Sequence, residues 1–110
     1  MVGPGSGRIT ITGNNFGNSN GKLVPLKPDN PWTYDICTGI ALQGTQDITV
    51  SGNSFCGLTT EAVKADAACK RVLISSNVIT EVNMNAKEPK KPVDLGGAKG
   101  SLVKNNIITQ

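Results

Sequence analysis

The sequence predicts an all-β chain: a right-handed, single-stranded parallel β-helix, a solenoid of about four coils with two inserted loops. Three observations carry this expectation. Only 4% of the 110 residues are aromatic, too few rings for a thick globular core. Thirteen glycines with many Asn, Ser and Thr mark frequent turns, and recurring Ile, Val and Leu pairs mark short strands. Finally, four segments align without gaps: residues 9–16 (ITITGNNF), 48–55 (ITVSGNSF), 72–79 (VLISSNVI) and 101–108 (SLVKNNII).

Within the aligned segments the third position is apolar (Ile11, Val50, Ile74, Val103) and the eighth is large and apolar (Phe16, Phe55, Ile79, Ile108). The sixth is always asparagine: Asn14, Asn53, Asn77 and Asn106. A second strand precedes three of the segments, at 40–44 (IALQG), 63–67 (VKADA) and 93–97 (VDLGG), each with the period-2 alternation of a half-buried strand. The unit is therefore strand, short turn, strand, asparagine, large apolar residue, then a longer connection. Steps of 39, 24 and 29 residues separate the asparagines, so a coil of about two dozen residues with inserted loops accounts for all of them. Such units cannot bury an apolar face alone, and stacking them makes one continuous core in three parallel sheets. The asparagines are expected to take the left-handed bend between two sheets and to hydrogen-bond along a column as a structural ladder. Their regular spacing favours that role over contact with a sugar or a metal.

The chain forms one domain, 1–110, with inserted loops at 18–38 and 80–92. Its net charge of +3 suits a soluble chain and points to no nucleic-acid partner. No apolar run reaches the roughly 18 residues of a membrane span, so no membrane role is expected. Residues 1–7 lack the apolar centre of a signal peptide. Localisation stays open between an intracellular chain and an extracellular or surface-associated one whose longer secreted parent carried the signal. Cys37, Cys56 and Cys69 leave at least one thiol unpaired, and spacing selects no bridge. With no histidine and no CxxC pair, a zinc site lacks its usual ligands, and buried or half-buried thiols are expected.

The units ITITGNNF and ITVSGNSF resemble those of the pectin-lyase-like right-handed β-helix superfamily, which includes polysaccharide lyases, polygalacturonases and phage tailspike depolymerases. The resemblance implies a scaffold and a polysaccharide partner, while activity has to be argued from a site. Polygalacturonase-like enzymes use clustered aspartates with a histidine motif, and this chain has no histidine. A lyase-like site needs calcium-binding carboxylates and a basic residue that abstracts a proton. Outward positions of the first strand stack as Ala41, Lys64, Asp94 and as Gln43, Asp66, Gly96, so Lys64, Asp66, Arg71 and Asp94 are weak catalytic candidates. A solvated ladder of opposite charges is the plainer reading, and no cofactor is expected, calcium being the one candidate the carboxylates leave open.

In the first insertion Trp32 and Tyr34, the only Trp and Tyr, are candidates to stack on a sugar face or to cover the flank of the fold. The second insertion carries Lys87, Lys90 and Lys91 with Glu88 and reads as a solvated loop. Met1 falls opposite Ile40, and neither end shows a polar cap, which invites self-association or continuation of the coil. Outward Leu73 and Leu102 form one apolar strip suited to association. The function expected is a carbohydrate-associated module without a complete catalytic site. The alternatives are a structural segment of a phage tailspike or surface adhesin, and an active polysaccharide lyase or hydrolase.

Overall fold

A computed structural model describes residues 1–17, 25–27, 30–34, 38–83 and 91–109; at 25–27 and 30–34 the description is of the backbone. The described residues form thirteen strands and no helix. Numbered along the chain, the largest sheet orders β1 (Gly7–Thr12), β6 (Gln46–Ser51), β9 (Lys70–Ser75) and β12 (Leu102–Lys104). A second orders β2 (Asn15–Gly17), β7 (Ser54–Cys56), β10 (Val78–Thr80) and β13 (Ile107–Thr109). A third joins β5 (Ile40–Leu42), β8 (Val63–Ala65) and β11 (Val93–Asp94). All pairings within these three sheets are parallel, and strand order follows repeat order. The stretch read as the first insertion contains an antiparallel pair, β3 (Pro25–Lys27) with β4 (Asn30–Tyr34).

Register places like on like. Ile11, Val50, Ile74 and Val103 form one row, and Phe16, Phe55, Ile79 and Ile108 another. The alternation of burial along β6 and β9 follows from the pleat, with Ile48, Val50, Val72 and Ile74 at most 1% exposed. Phe16 and Phe55 stack with ring centroids 4.9 Å apart at 6°, so the apolar step between the first two repeats is flat and close.

Two rows of left-handed residues shape each repeat. One row precedes the aligned segments: Arg8 (φ 56°), Asp47 (57°), Arg71 (52°) and Gly100 (70°). The other precedes the asparagines: Gly13 (73°), Gly52 (68°), Ser76 (58°) and Asn105 (56°). This corrects the sequence reading, in which the repeated asparagine itself takes the bend. The residue before it turns the chain. Glycine takes that conformation without a Cβ penalty at two of the four positions, and each asparagine is left free to aim its amide along the column.

The amino-terminal register also differs from expectation. Val2, not Gly3, lies opposite Leu42, with its N–H donating to the Ala41 carbonyl at 2.8 Å and its carbonyl accepting from Gln43 N–H at 2.9 Å. An isopropyl group is thereby set against Leu42 where Gly3 has no side chain to offer, and Met1 is left 81% exposed. Residues 3–6 take up the extra position as a turn.

The stretch 80–92 begins inside the fold, not in solvent. Val82 and Asn83 are buried beside Leu58, Thr59 and Ala62, and Leu58 N–H donates to Glu81 O at 3.1 Å. Residues 84–90, and with them Lys87, Glu88 and Lys90, lie outside the described residues. Cys69 is a buried thiol and Cys56 a half-buried one, whereas Cys37 lies outside the described residues. No helix among the described residues is long and apolar enough to cross a membrane.

Candidate functional site

The asparagine column is the most connected polar feature. Asn14 Nδ2 donates to Asn53 Oδ1 at 3.2 Å, Asn53 Nδ2 to Asn77 Oδ1 at 3.1 Å, and Asn77 Nδ2 to Asn106 Oδ1 at 2.9 Å. Backbone N–H groups of Asn14, Asn53 and Asn77 donate to the same acceptors. Asn53 and Asn77 are 3% and 1% exposed, so their amides have no hydrogen-bonding capacity to spare for a ligand.

On the outer side of β5–β8–β11, Lys64 lies opposite both Ala41 and Asp94. A shallow cleft of about 320 Å³, lined in part by Thr38, Ala41, Glu61 and Lys64, adjoins Lys64 on one side. A smaller one of about 90 Å³ adjoins it on the other, towards Gln43 and Asp66. Of the four catalytic candidates, only Lys64 and Asp94 are direct neighbours. Asp66 is a brace: its Oδ1 accepts from Gly44 N–H and Ala68 N–H, both at 3.1 Å, and from the Cys69 thiol at 3.3 Å. Asp94 Oδ1 accepts from Gly96 N–H at 3.0 Å, another local turn. Arg71 stands in a different sheet, and its guanidinium is forked on Asp47 at 2.5 and 3.0 Å. Among the described residues no three His, Cys, Asp or Glu side chains converge to hold a metal ion. Among the described residues the face offers hydrogen bonds and one ammonium to a ligand, with Asp66 and Arg71 held by other partners. Trp32 and Tyr34 lie in β4, and their side chains are outside the described residues.

A second, charged feature was not singled out from sequence. The left-handed residue before each aligned segment breaks the strand alternation, so two successive side chains per repeat point outward, as at a bulge. Those two rows read Gly7, Gln46, Lys70, Lys99 and Arg8, Asp47, Arg71, Gly100. Arg8, Lys70, Arg71 and Lys99 are all exposed. Four cations against one carboxylate give this ridge a charge equal to the whole chain's +3. A cleft of about 440 Å³ lined by Gly5, Ser6, Gly7, Arg8, Gly44 and Gln46 opens at its Arg8 end. A left-handed arginine costs of order 1–2 kcal/mol relative to a relaxed backbone, and Gly100 shows that glycine fits the same row. Arg71 offsets that cost through its fork on Asp47, whereas Arg8 makes no hydrogen bond or ion pair among the described residues. The signal was available in the sequence as charges one and two positions ahead of the aligned segments.

The Arg71 hydrogen bond holds Asp47 below the ordinary carboxylate range, with the Arg8 charge adding to it and desolvation opposing. Hydrogen bonds from Gly44 N–H, the Cys69 thiol and nearby backbone do the same for Asp66. A carboxylate depressed in the folded state adds stability above its unfolded value near pH 4 and loses that contribution as pH falls through the lower folded value. Urea midpoints should therefore fall on acidification below about pH 4, and Asp66→Asn should make that fall shallower. An unchanged acid limb in the variant would show that Asp66 is not a linked group.

No protein family, no curated protein and no solved structure matches this sequence.

Proposed function

We propose that the chain is a right-handed parallel β-helix of the pectin-lyase-like kind, acting as a non-catalytic module that holds an acidic polysaccharide. Strand order matching repeat order in all three parallel sheets supports the solenoid part of this reading. The observation that carries the partner is the ridge, where Arg8 has no hydrogen bond or ion pair among the described residues and stands in a left-handed conformation beside a cleft. Lys70 and Lys99 stand one strand step apart, about 4.8 Å, and Arg8 two steps from Lys70, a spacing that suits an extended chain bearing regularly spaced carboxylates. An enzymatic role finds less support, because Asp66 braces a turn and Arg71 is forked on Asp47. A structural or assembly role is the second reading, favoured by Leu73 lying opposite the 51%-exposed Leu102 on an outward row.

The test is binding to polygalacturonate and alginate at low and physiological salt. The chain should bind with strong salt dependence, and the triple variant Arg8→Gln, Lys70→Gln, Lys99→Gln should lose on the order of tenfold in affinity. Trp32→Ala should weaken binding further if the β4 segment lies along the polymer. No unsaturated product should appear, with or without calcium. Absence of binding at low salt would overturn the proposal, and product formation lost in Lys64→Ala or Asp94→Ala would establish the enzyme reading.

A further inference from the structure

We propose that copies of this chain stack end to end, the free edge of β12 and β13 on one copy pairing in parallel with the free edge of β1 and β2 on the next. This is independent of any polysaccharide. Among the described residues the two edges are the outermost members of their sheets, and they are chemical opposites.

The asparagine column shows the opposition best. Inside it, each amide nitrogen donates to three acceptors: the next Oδ1, the carbonyl two residues back, and a carbonyl of the preceding repeat. Asn77 reaches Asn106 Oδ1, Ser75 O and Val50 O, all within 3.0 Å. Asn106 Nδ2 has only the last two kinds, to Lys104 O and Ile74 O, and among the described residues the Asn106 backbone N–H meets no acceptor like the Asn106 Oδ1 that takes the Asn77 N–H. At the other end Asn14 Oδ1 receives neither of the donors that Asn53 Oδ1 receives from Asn14. Its amide nitrogen also lacks a preceding-repeat carbonyl, having Thr12 O and Asn53 Oδ1 alone. One edge is short of an acceptor and the other of donors. Stacking supplies both, with Val103 O meeting the next copy's amide.

Backbone and apolar rows agree with this joint. Gly100 and Asn105 on one edge, and Arg8 and Gly13 on the other, hold the same left-handed conformations as the interior repeats that already pair. Val103 and Ile108 are 40% and 41% exposed, whereas their row mates Val50, Ile74, Phe55 and Ile79 are at most 1% exposed. The joint sets Val103 on Ile11 and Ile108 on Phe16, the last two being half-buried alone. None of the four edge strands contains proline. Pairing like edges would set donors against donors, so the contact is heterologous and repeats without closing.

Edge-blocked variants test this directly. Ser54, Val78 and Ile107 N–H each donate to the preceding repeat, so the Asn15 N–H of the same row points off the free edge. Asn15→Pro, at the first residue of β2, blocks that edge; Ile11→Lys replaces it should the proline variant not fold. Val103→Lys with Ile108→Lys blocks the other. In sedimentation velocity the parent chain should show mass rising with concentration beyond the dimer. Each blocked variant should be monomeric, and their equimolar mixture should form a heterodimer and stop there, since one sound edge remains on each. Leu73→Lys should still stack. A parent chain that stays monomeric at high micromolar concentration would overturn the proposal. So would a mixture that remains monomeric, or association abolished by Leu73→Lys, which would assign the contact to the lateral leucine strip.

Discussion

Replacing Asn77 by leucine should destabilise the fold by about 3–5 kcal/mol, although the two side chains are similar in size. Asn77 is 1% exposed and stands in the middle of the column. Its amide nitrogen serves Val50 O, Ser75 O and Asn106 Oδ1, and its Oδ1 receives both the backbone and the side-chain N–H of Asn53. Leucine would strand all of these groups where water cannot reach them, at about 1–3 kcal/mol for each buried group left unsatisfied, moderated by relaxation. The same change at Asn14, which is exposed, should cost about 1 kcal/mol, because Thr12 O lies at the surface and Asn53 Oδ1 keeps the Asn14 backbone N–H. Urea unfolding with an unchanged slope measures the difference. Equal losses at the two positions would mean that burial of the column is not what makes it count.

That contrast between the middle and the end of the column also marks how far the sequence could be read. The recurrence of Asn14, Asn53, Asn77 and Asn106 at one offset from Ile11, Val50, Ile74 and Val103 placed them in one row, and the observed register has those rows. The conformation was assigned one residue late. A sequence records that glycine, glycine, serine and asparagine precede the column, but Ser76 and Asn105 are ordinary enough that φ cannot be read from them. Val2 was misplaced for a related reason. Counting back from Ile9 assumes equal turns, and the segment 3–6 is one residue longer than its counterpart between Leu42 and Gln46.

The candidate site was less legible than the fold. Pleat alternation put Lys64 and Asp94 on one face, as the register has them, but it treats Asp66 as a free carboxylate. Alternation says nothing about a side chain that accepts from Ala68 in its own loop and from Gly44 in the neighbouring repeat. The ridge escaped notice because alternation itself fails there: at a left-handed residue two neighbours point outward, and only the backbone shows it. Buried connectors such as Leu58, Ala62 and Val82 were missed because they belong to no strand and recur in no aligned position.

The second large effect should come from adding a single methyl group at Gly39. This glycine leads into β5, and a Cβ there would stand 2.0 Å from the Ala62 carbonyl oxygen, 2.7 Å from its carbon and 2.8 Å from the Glu61 oxygen. Its φ is not positive, so the requirement is for space, not for a left-handed backbone. Nor can the obstacle retreat. The Ala62 oxygen accepts from Ile40 N–H at 2.8 Å, and Ala62 N–H donates to Pro92 O at 2.8 Å, so the backbone of this residue is tied to repeats on both sides. Gly39→Ala should therefore cost about 3–5 kcal/mol, at the top of the overpacking range, because backbone and not a flexible side chain must move. Gly13→Ala, with φ 73° and no atom within 4 Å, should cost about 1 kcal/mol from conformation alone. Gly3→Ala, open on all sides and without positive φ, should stabilise by about 0.4–1 kcal/mol through the unfolded chain. The three urea midpoints should fall in that order, with Gly3→Ala above the parent. A Gly39→Ala midpoint within error of Gly13→Ala would show that β5 and β8 approach less closely at this step than the geometry places them.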